Sequence, residues 1–280
     1  MKIVLWIGNE PNQKALANKL QEFFPISAIV TETRHSKRKL TLRLIYEKII
    51  EKIFLSSIEK AWWEMHKYYD KNYTEYPDTE ILDVENINSE MTYIFTAKHN
   101  PDLILVSGTR HVKEKMFNIS PSIGILNLHT GLSPYVKGGP NCTNWCIANK
   151  DFHLIGNTIM WIDNGIDTGN ILTTEFTQFD GYENLLELHI KVMEHAHSLY
   201  INAVKFINSG NNQSIKQSEI ANGKTYFNIQ WTIKQKKKII RNFGLLKKEI
   251  DNGNLSAKRK EIKTVKLKTN IKSRSTIKLP

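Results

Sequence analysis

The chain has 280 residues, 40% of them hydrophobic, 10% aromatic and 24% charged, enough apolar material to bury a core, so global disorder is excluded. That length is about twice the usual domain of roughly 150 residues, which points to one large domain or one domain with an appendage. The formal net charge of +11 suggests an anionic partner such as nucleic acid, a nucleotide or a membrane surface, but it is unevenly spread. From position 234 onward sixteen Lys and Arg meet only Glu249, Asp251 and Glu261, so that stretch carries +13 and the first 233 residues −2.

No run of roughly 18 apolar residues occurs, so no membrane span is expected. The opening MKIVLWIGNEPNQ meets Asn and Glu too early for the apolar centre of a signal peptide, and a cytoplasmic protein is expected. The two cysteines, Cys142 and Cys146, lie i,i+4 apart in CTNWC, which is neither CxxC nor a zinc pattern. They read as reduced, buried small residues.

In chain order, IVLWIG reads as a buried strand, NEPNQKALANKLQEFF as an amphipathic helix capped by Asn9, and ISAIVTE as the next strand. Residues 39–69 read as one helical stretch whose end gathers Trp62, Trp63, Met65, Tyr68 and Tyr69. That aromatic face either packs in the core or stacks on a substrate base. INSEMTYIFTAKHNPD reads as a helix leading into the strand DLILVSG, which Gly108 ends, and GILNLHTG as another short buried strand. Apolar strands alternating with helices imply an α/β fold with a mostly parallel sheet, whose ligands bind beyond the carboxyl ends of the strands. The ends to watch are at Gly8, Gly108 and His129. NTIMWID and GNILTTEF follow as strands around the turn NGIDTG, and ENLLELHIKVMEHAHSLYINAVKFI as a long amphipathic helix. Its His189, His195 and His197 have no nearby carboxylate or Cys set to complete a ligand shell, so no metal is expected. Eight of the fourteen glycines fall between positions 124 and 181, which concentrates tight turns there.

Within that segment, Asn127 and His129 sit two apart on an extended strand, which points both side chains to one face. Asp167 follows in a turn flanked by Gly165 and Gly169, from which its carboxylate can reach the strand end. An Asn, a His and an Asp gathered there can run acyl transfer without a protein nucleophile. An amine attacks a carbonyl, the Asn amide and an imidazolium stabilise the oxyanion, and the carboxylate raises the His pKa and helps move the proton. The spacing leaves the plainer reading open as well: Asn127 capping a turn, His129 a satisfied core histidine, Asp167 an ordinary turn residue.

The segments NLHTGLSPYVKGGPNCTNWCIANKD and GNTIMWIDNGIDTGNIL resemble two motifs of the folate-dependent formyltransferases. These are an Asn-x-His followed by a Ser/Leu-Pro-x-Tyr-Arg-Gly-type loop, and a G-x-T hairpin ending D-x-G-x-D-x-G. The resemblance spans residues 1–207, strongest in 101–173. It implies a Rossmann-like formyltransferase fold and matches Asn127, His129 and Asp167 to the family's catalytic trio. It further implies that Val106, Ser107, Gly108 and Thr109, with Trp161, Ile162, Asp163 and Gly165, flank the pterin of 10-formyltetrahydrofolate. Pro134, Tyr135, Lys137, Gly138 and Gly139 would then meet the acceptor. The chain is divided accordingly into a catalytic domain, 1–209, with a helical insertion at 35–85, and a short, partly mobile basic extension, 210–280.

Two departures bear on the acceptor. Lys137 stands where the family commonly has Arg, which keeps the charge and loses the bidentate fork. In GNEPNQ, Glu10 repels a phosphate and Pro11 offers no N–H, which disfavours a small phosphorylated amine such as glycinamide ribonucleotide. Initiator tRNA requires a broad basic surface and a sizeable second domain, for which the residues after 210 look too poor in apolar side chains, although the basic end keeps nucleic acid open. A nucleotide-linked amino sugar, of the sort built into surface polysaccharide such as lipopolysaccharide, is therefore favoured. Its base would stack on the aromatic insertion or on GKTYFNIQW. A non-catalytic folate- or nucleotide-binding homologue is the remaining alternative. Truncation after Phe243 is expected to spare the chemistry if the acceptor is a sugar nucleotide. The resemblance also leaves a homodimer open.

Overall fold

The computed structural model describes residues 1–34 and 41–268. The start of the expected insertion, 35–40, and the last part of the expected tail, 269–280, lie outside the described residues.

Strand β1 (Ile3–Gly8) is buried along its whole length because it lies inside the sheet with helices on both faces. Its alternation divides the core. Ile3, Leu5 and Ile7 pack with helix α1 (Pro11–Gln21) and the later helix that crosses the same face, while Val4 and Trp6 pack on the opposite side. Pro11 opens α1, where a missing N–H costs no hydrogen bond. Asn9, expected as the cap, is not one. Its Nδ2 donates to Thr33 Oγ1 at 2.8 Å and its Oδ1 accepts from the Tyr76 hydroxyl at 3.0 Å, leaving Glu10 at the cap position without a capping hydrogen bond.

β2 (Ile26–Glu32) pairs parallel with β1. The described part of the 39–69 stretch forms two helices, α2 (Leu42–Phe54) and α3 (Ser56–Asn72), broken at Leu55, whose side chain is buried. Met65 and Tyr69 of α3 are fully buried beside Ala15, so part of the aromatic stripe is core. The segment 35–85 is not helical throughout. It ends in strand β3 (Glu80–Val84), parallel to β2, whose half-exposed edge pattern EILDV carries too little apolar periodicity to read as a strand.

After α4 (Glu90–Lys98), capped by Ser89, come β4 (Leu103–Ser107) and β5 (Gly124–His129), both parallel to β1. Strand β6 (Val136–Gly138) and helix α5 (Cys142–Asn149) form a side excursion. Two antiparallel strands, β7 (Gly156–Trp161) and β8 (Ile171–Phe176), complete a seven-stranded sheet in the order β3-β2-β1-β4-β5-β7-β8. The fold is α/β and Rossmann-like, with the carboxyl ends of β1, β4 and β5 side by side. Helix α6 (Leu185–Asn208) starts on an Asn184–Glu187 capping box and buries one side against the sheet. Its Tyr200 hydroxyl accepts from Val106 N–H at 2.9 Å and donates to the Leu126 carbonyl at 2.6 Å, which locks β4 to β5 just before the site.

The C-terminal part is packed through its last described residues. β9 (Lys224–Tyr226) pairs with β6, and α7 (Ile233–Phe243), α8 (Leu246–Asp251) and α9 (Asn254–Lys260) cover α5 through Ile239, Leu246 and Leu255. Tyr226 stacks on Trp145 at 4.3 Å between ring centroids. Val265 exchanges hydrogen bonds of 2.8 Å with Thr174 at the free edge of β8. Within the extension expected to be partly mobile, residues up to 268 are thus packed against β8 and α5. A segment spends few apolar side chains when each one enters a cavity already walled by another element. Among the described residues no helix is long and apolar enough to cross a membrane.

Candidate active site

The end of β5 is where the central residues meet. Asn127 and His129 lie on one face of the strand, as period-two alternation requires, and the loop between β7 and β8 brings Asp167 beside them. Nδ1 of His129 stands 3.4 Å from Oδ2 of Asp167, and the same oxygen accepts the Gly138 N–H at 2.9 Å. On the other edge of the ring, Nε2 lies 3.2 Å from the Val136 carbonyl and 3.6 Å from Sγ of Cys142. Both ring nitrogens thus face acceptors, an arrangement that suits a doubly protonated imidazolium. Burial opposes that charge, but the Asp167 carboxylate, with Cys142 and the Val136 carbonyl, outweighs it and pushes His129 up to about 10.

Neighbouring glycines permit this packing. A Cβ on Gly131 would overlap His129 Nε2, and Gly138, at φ +82, lies against the Tyr226 carbonyl. Thr158 pins the loop that leaves His129, donating to the Gly131 carbonyl at 2.7 Å and accepting the Ser133 N–H at 2.9 Å. The Asp167 loop is held within itself by Asp163, whose Oδ1 accepts from Gly165 N–H and the Thr168 hydroxyl.

Asn127 and Asp167 line a cleft of about 640 Å³ beyond the strand ends. Of the residues assigned to the pterin, Val106, Gly108 and Thr109 line one side, with Trp161, Ile162, Asp163 and Gly165 on the other. Ser107 does not; it is buried in β4. Of the residues assigned to the acceptor, Gly138 and Gly139 line this cleft and Pro134, Tyr135 and Lys137 do not. The Tyr135 hydroxyl instead bonds the backbone of Lys263, and Lys137 makes no ion pair among the described residues. The apolar walls and exposed turn backbone suit a flat heterocycle with polar edges, which fits a formyl-folate.

A second cleft, of about 520 Å³, opens beside Thr130, the residue after His129. Trp62 and Trp63 of α3 and Trp231 from the segment after β9 line it, so both stretches singled out in the sequence as stacking surfaces reach the same space. In its wall, His189 Nε2 and Asn144 Oδ1 are buried without a hydrogen-bond partner among the described residues. Burial pushes His189 down to about 4, so it is neutral. Among the described residues no group of three His, Cys, Asp or Glu is placed to hold a metal ion.

Sequence reasoning missed three contributors. Cys142 was read only as a small buried residue, and its contact with His129 has no sequence signature. Thr158 could have been found, since it is the Thr of the G-x-T hairpin. Gln217, fifty positions beyond Asp167, donates from Nε2 to the Asp167 and Gly169 carbonyls.

A family model described as formyl transferase matches residues 2–204. A methionyl-tRNA formyltransferase of Clostridium tetani is 31% identical over 126 residues, 45% of this chain and 40% of that protein. The chain thus matches under half the length of this curated relative. A sugar N-formyltransferase of a Shewanella species superposes with a TM-score of 0.55 at 15% identity, over 86% of this chain and 88% of the other. An N-formyltransferase of Helicobacter canadensis, solved with folinic acid and dTDP-3-aminofucose, gives 0.52 at 16% identity, over 87% and 81%. At these identities the two structures bear on the fold alone.

Proposed function

The chain belongs to the formyl transferase family, and from that membership we propose that it moves a formyl group from 10-formyltetrahydrofolate to the amine of a nucleotide-linked amino sugar. The observation that carries the reading is the meeting of Asn127, His129 and Asp167 at the end of β5, beside a cleft that fits the donor.

In this reading the neutral amine attacks the formyl carbon. The Asn127 amide, which has no hydrogen-bond partner among the described residues, donates to the oxygen that becomes negative. His129, as an imidazolium at the back of the site, stabilises the same charge electrostatically. Asp167 lines the cleft, takes the proton the amine must lose, and gives it to the tetrahydrofolate nitrogen as the bond from the formyl carbon to that nitrogen breaks.

The second cleft supports the acceptor class. It offers three indoles, a neutral imidazole and an amide next to the residue that follows His129, a suitable set for a nucleobase. A nucleotide needs only such a cleft, not a broad nucleic-acid face. In this reading the protein works in the cytoplasm and supplies formylated sugar to surface polysaccharide. The tRNA reading keeps one specific support: Lys234, Lys237, Lys238 and Arg241 crowd one side of α7.

The deciding experiment is tetrahydrofolate release from 10-formyltetrahydrofolate, with dTDP-, UDP- and GDP-linked amino sugars run beside methionyl initiator tRNA and buffer. Turnover with one sugar nucleotide is expected. Turnover with the tRNA and none of the sugars would move the function to translation initiation, and silence with all would favour a binding protein.

A further inference from the structure

The matched family region ends at residue 204, yet a side chain beyond it reaches the active-site loop. We infer that Gln217 is a positioning residue: it fixes the backbone of Asp167 in the conformation from which the carboxylate reaches His129.

Gln217 is buried, and its Nε2 lies 2.7 Å from the Asp167 carbonyl and 2.9 Å from the Gly169 carbonyl. Both neighbours are carbonyl oxygens, so the donating end of the amide must face them. The residue it holds is unusual. Asp167 has φ +51, in the left-handed region, which Asp tolerates better than most side chains but which still favours glycine, so a backbone hydrogen bond there helps to hold it. Asp163, which also fixes this loop, is itself part of it, whereas Gln217 comes from a segment tied to the sheet. Ile215, two residues before it, exchanges hydrogen bonds of 3.1 and 2.8 Å with Ile171 at the start of β8.

The same C-terminal part also fixes the opposite side of the contact. Gly138, whose N–H binds Asp167 Oδ2, lies in β6, and β9 pairs with β6 while the Tyr226 carbonyl accepts the Gly139 N–H at 3.0 Å. Residues 215–226 therefore clamp both loops that converge on Asp167. Gln217 does not line the 640 Å³ cleft and makes no contact with His129, so it acts through the loop that carries Asp167.

The test reads His129 directly, by NMR titration of its labelled imidazole, and needs no acceptor, so it stands apart from the choice of substrate. The groups facing the ring are Asp167, Cys142 and the Val136 carbonyl. Asp167→Asn is expected to lower the titration midpoint. Gln217→Met, which keeps the volume and removes the donor, is expected to lower it by about one pH unit or more, a tenfold change in the proton equilibrium. In the Asp167→Asn background, Gln217→Met is expected to add nothing, because its effect runs through the missing carboxylate. Gln217→Leu, which likewise offers no donor and adds no charge, serves where the Met variant does not fold, and the same direction is expected. A midpoint unmoved by either folded variant, or an equal drop in both backgrounds, overturns the inference. A midpoint unmoved by Asp167→Asn overturns the His129–Asp167 pair on which it rests.

Discussion

Oδ2 of Asp167 is shared between Nδ1 of His129, at 3.4 Å, and the Gly138 N–H, at 2.9 Å, so one carboxylate oxygen joins the end of β5, the β7–β8 loop and the β6 turn. The ion pair is therefore a packing contact as well as a chemical one.

Asp167→Asn and His129→Ala are each expected to lower formyl transfer by about a hundredfold or more, the scale of losing an acid/base or oxyanion-stabilising group. Initial rates of tetrahydrofolate release at saturating donor measure it. A loss below about tenfold in both variants would place the chemistry elsewhere.

The pair should also leave a pH signature in stability. His129 is raised from 6.5 in the unfolded chain to about 10 in the fold, so folding takes up a proton between those values. A raised histidine contributes stability that is fully present below about pH 6.5 and is lost as pH rises towards about 10. The stability difference between wild type and Asp167→Asn, from denaturant unfolding at pH 6, 8 and 10, is expected to be greatest at pH 6 and to shrink at each step. A difference independent of pH would mean that His129 is neutral in the native protein.

Asn127→Ala should divide the two properties differently. Its side chain lines the 640 Å³ cleft and has no hydrogen-bond partner among the described residues, so its removal breaks no hydrogen bond of the fold. Thermal melting is expected to stay within a few degrees of wild type while kcat falls by about a hundredfold, as for removal of an oxyanion donor. A large fall in melting temperature would show a structural role instead.

How far these residues could be read in the sequence depended on how local their signals were. Asn127 and His129 share a strand face, and strand periodicity alone places them together. Asp167 was placed by its glycine-flanked turn, but its contact with Gly138 depends on β6 packing against the hairpin, which no spacing encodes. β3 was missed because an edge strand with one exposed side lacks a continuous apolar run. Leu55 divides one amphipathic pattern into two helices without Gly or Pro to announce it. Gln217 is one polar residue among many in NNQSIKQSEI and becomes distinctive only when two loop carbonyls arrive beside it.

Trp63 offers a test of the acceptor cleft that leaves the core untouched, since its side chain is 59% exposed and lines that space. If a base stacks there, Trp63→Ala is expected to raise KM for the acceptor about tenfold or more, the size of one lost stacking partner, and to leave KM for 10-formyltetrahydrofolate unchanged. Equal effects on both substrates, or none on either, would remove the cleft from the acceptor's path.

The C-terminal end decides between a tail and a part of the fold. A truncation after Phe243 removes Leu246, Leu255 and Val265, all buried, along with the hydrogen bonds between Val265 and Thr174. Burying each such side chain is worth about 1.5–3 kcal/mol, so the three together approach the ~5–15 kcal/mol that holds a typical domain. The truncation leaves α7 on α5 but strips α8 and α9 from the apolar cluster that α5 shares, next to Cys142 beside His129 and Trp145 beneath Tyr226. The truncated chain is therefore expected to be poorly soluble or to melt far below the full chain, and to lose activity with any acceptor. Full activity in a stably folded truncation would restore the simpler picture of a dispensable basic tail, and would mean that β9, Gln217 and α7 hold the site without α8 and α9.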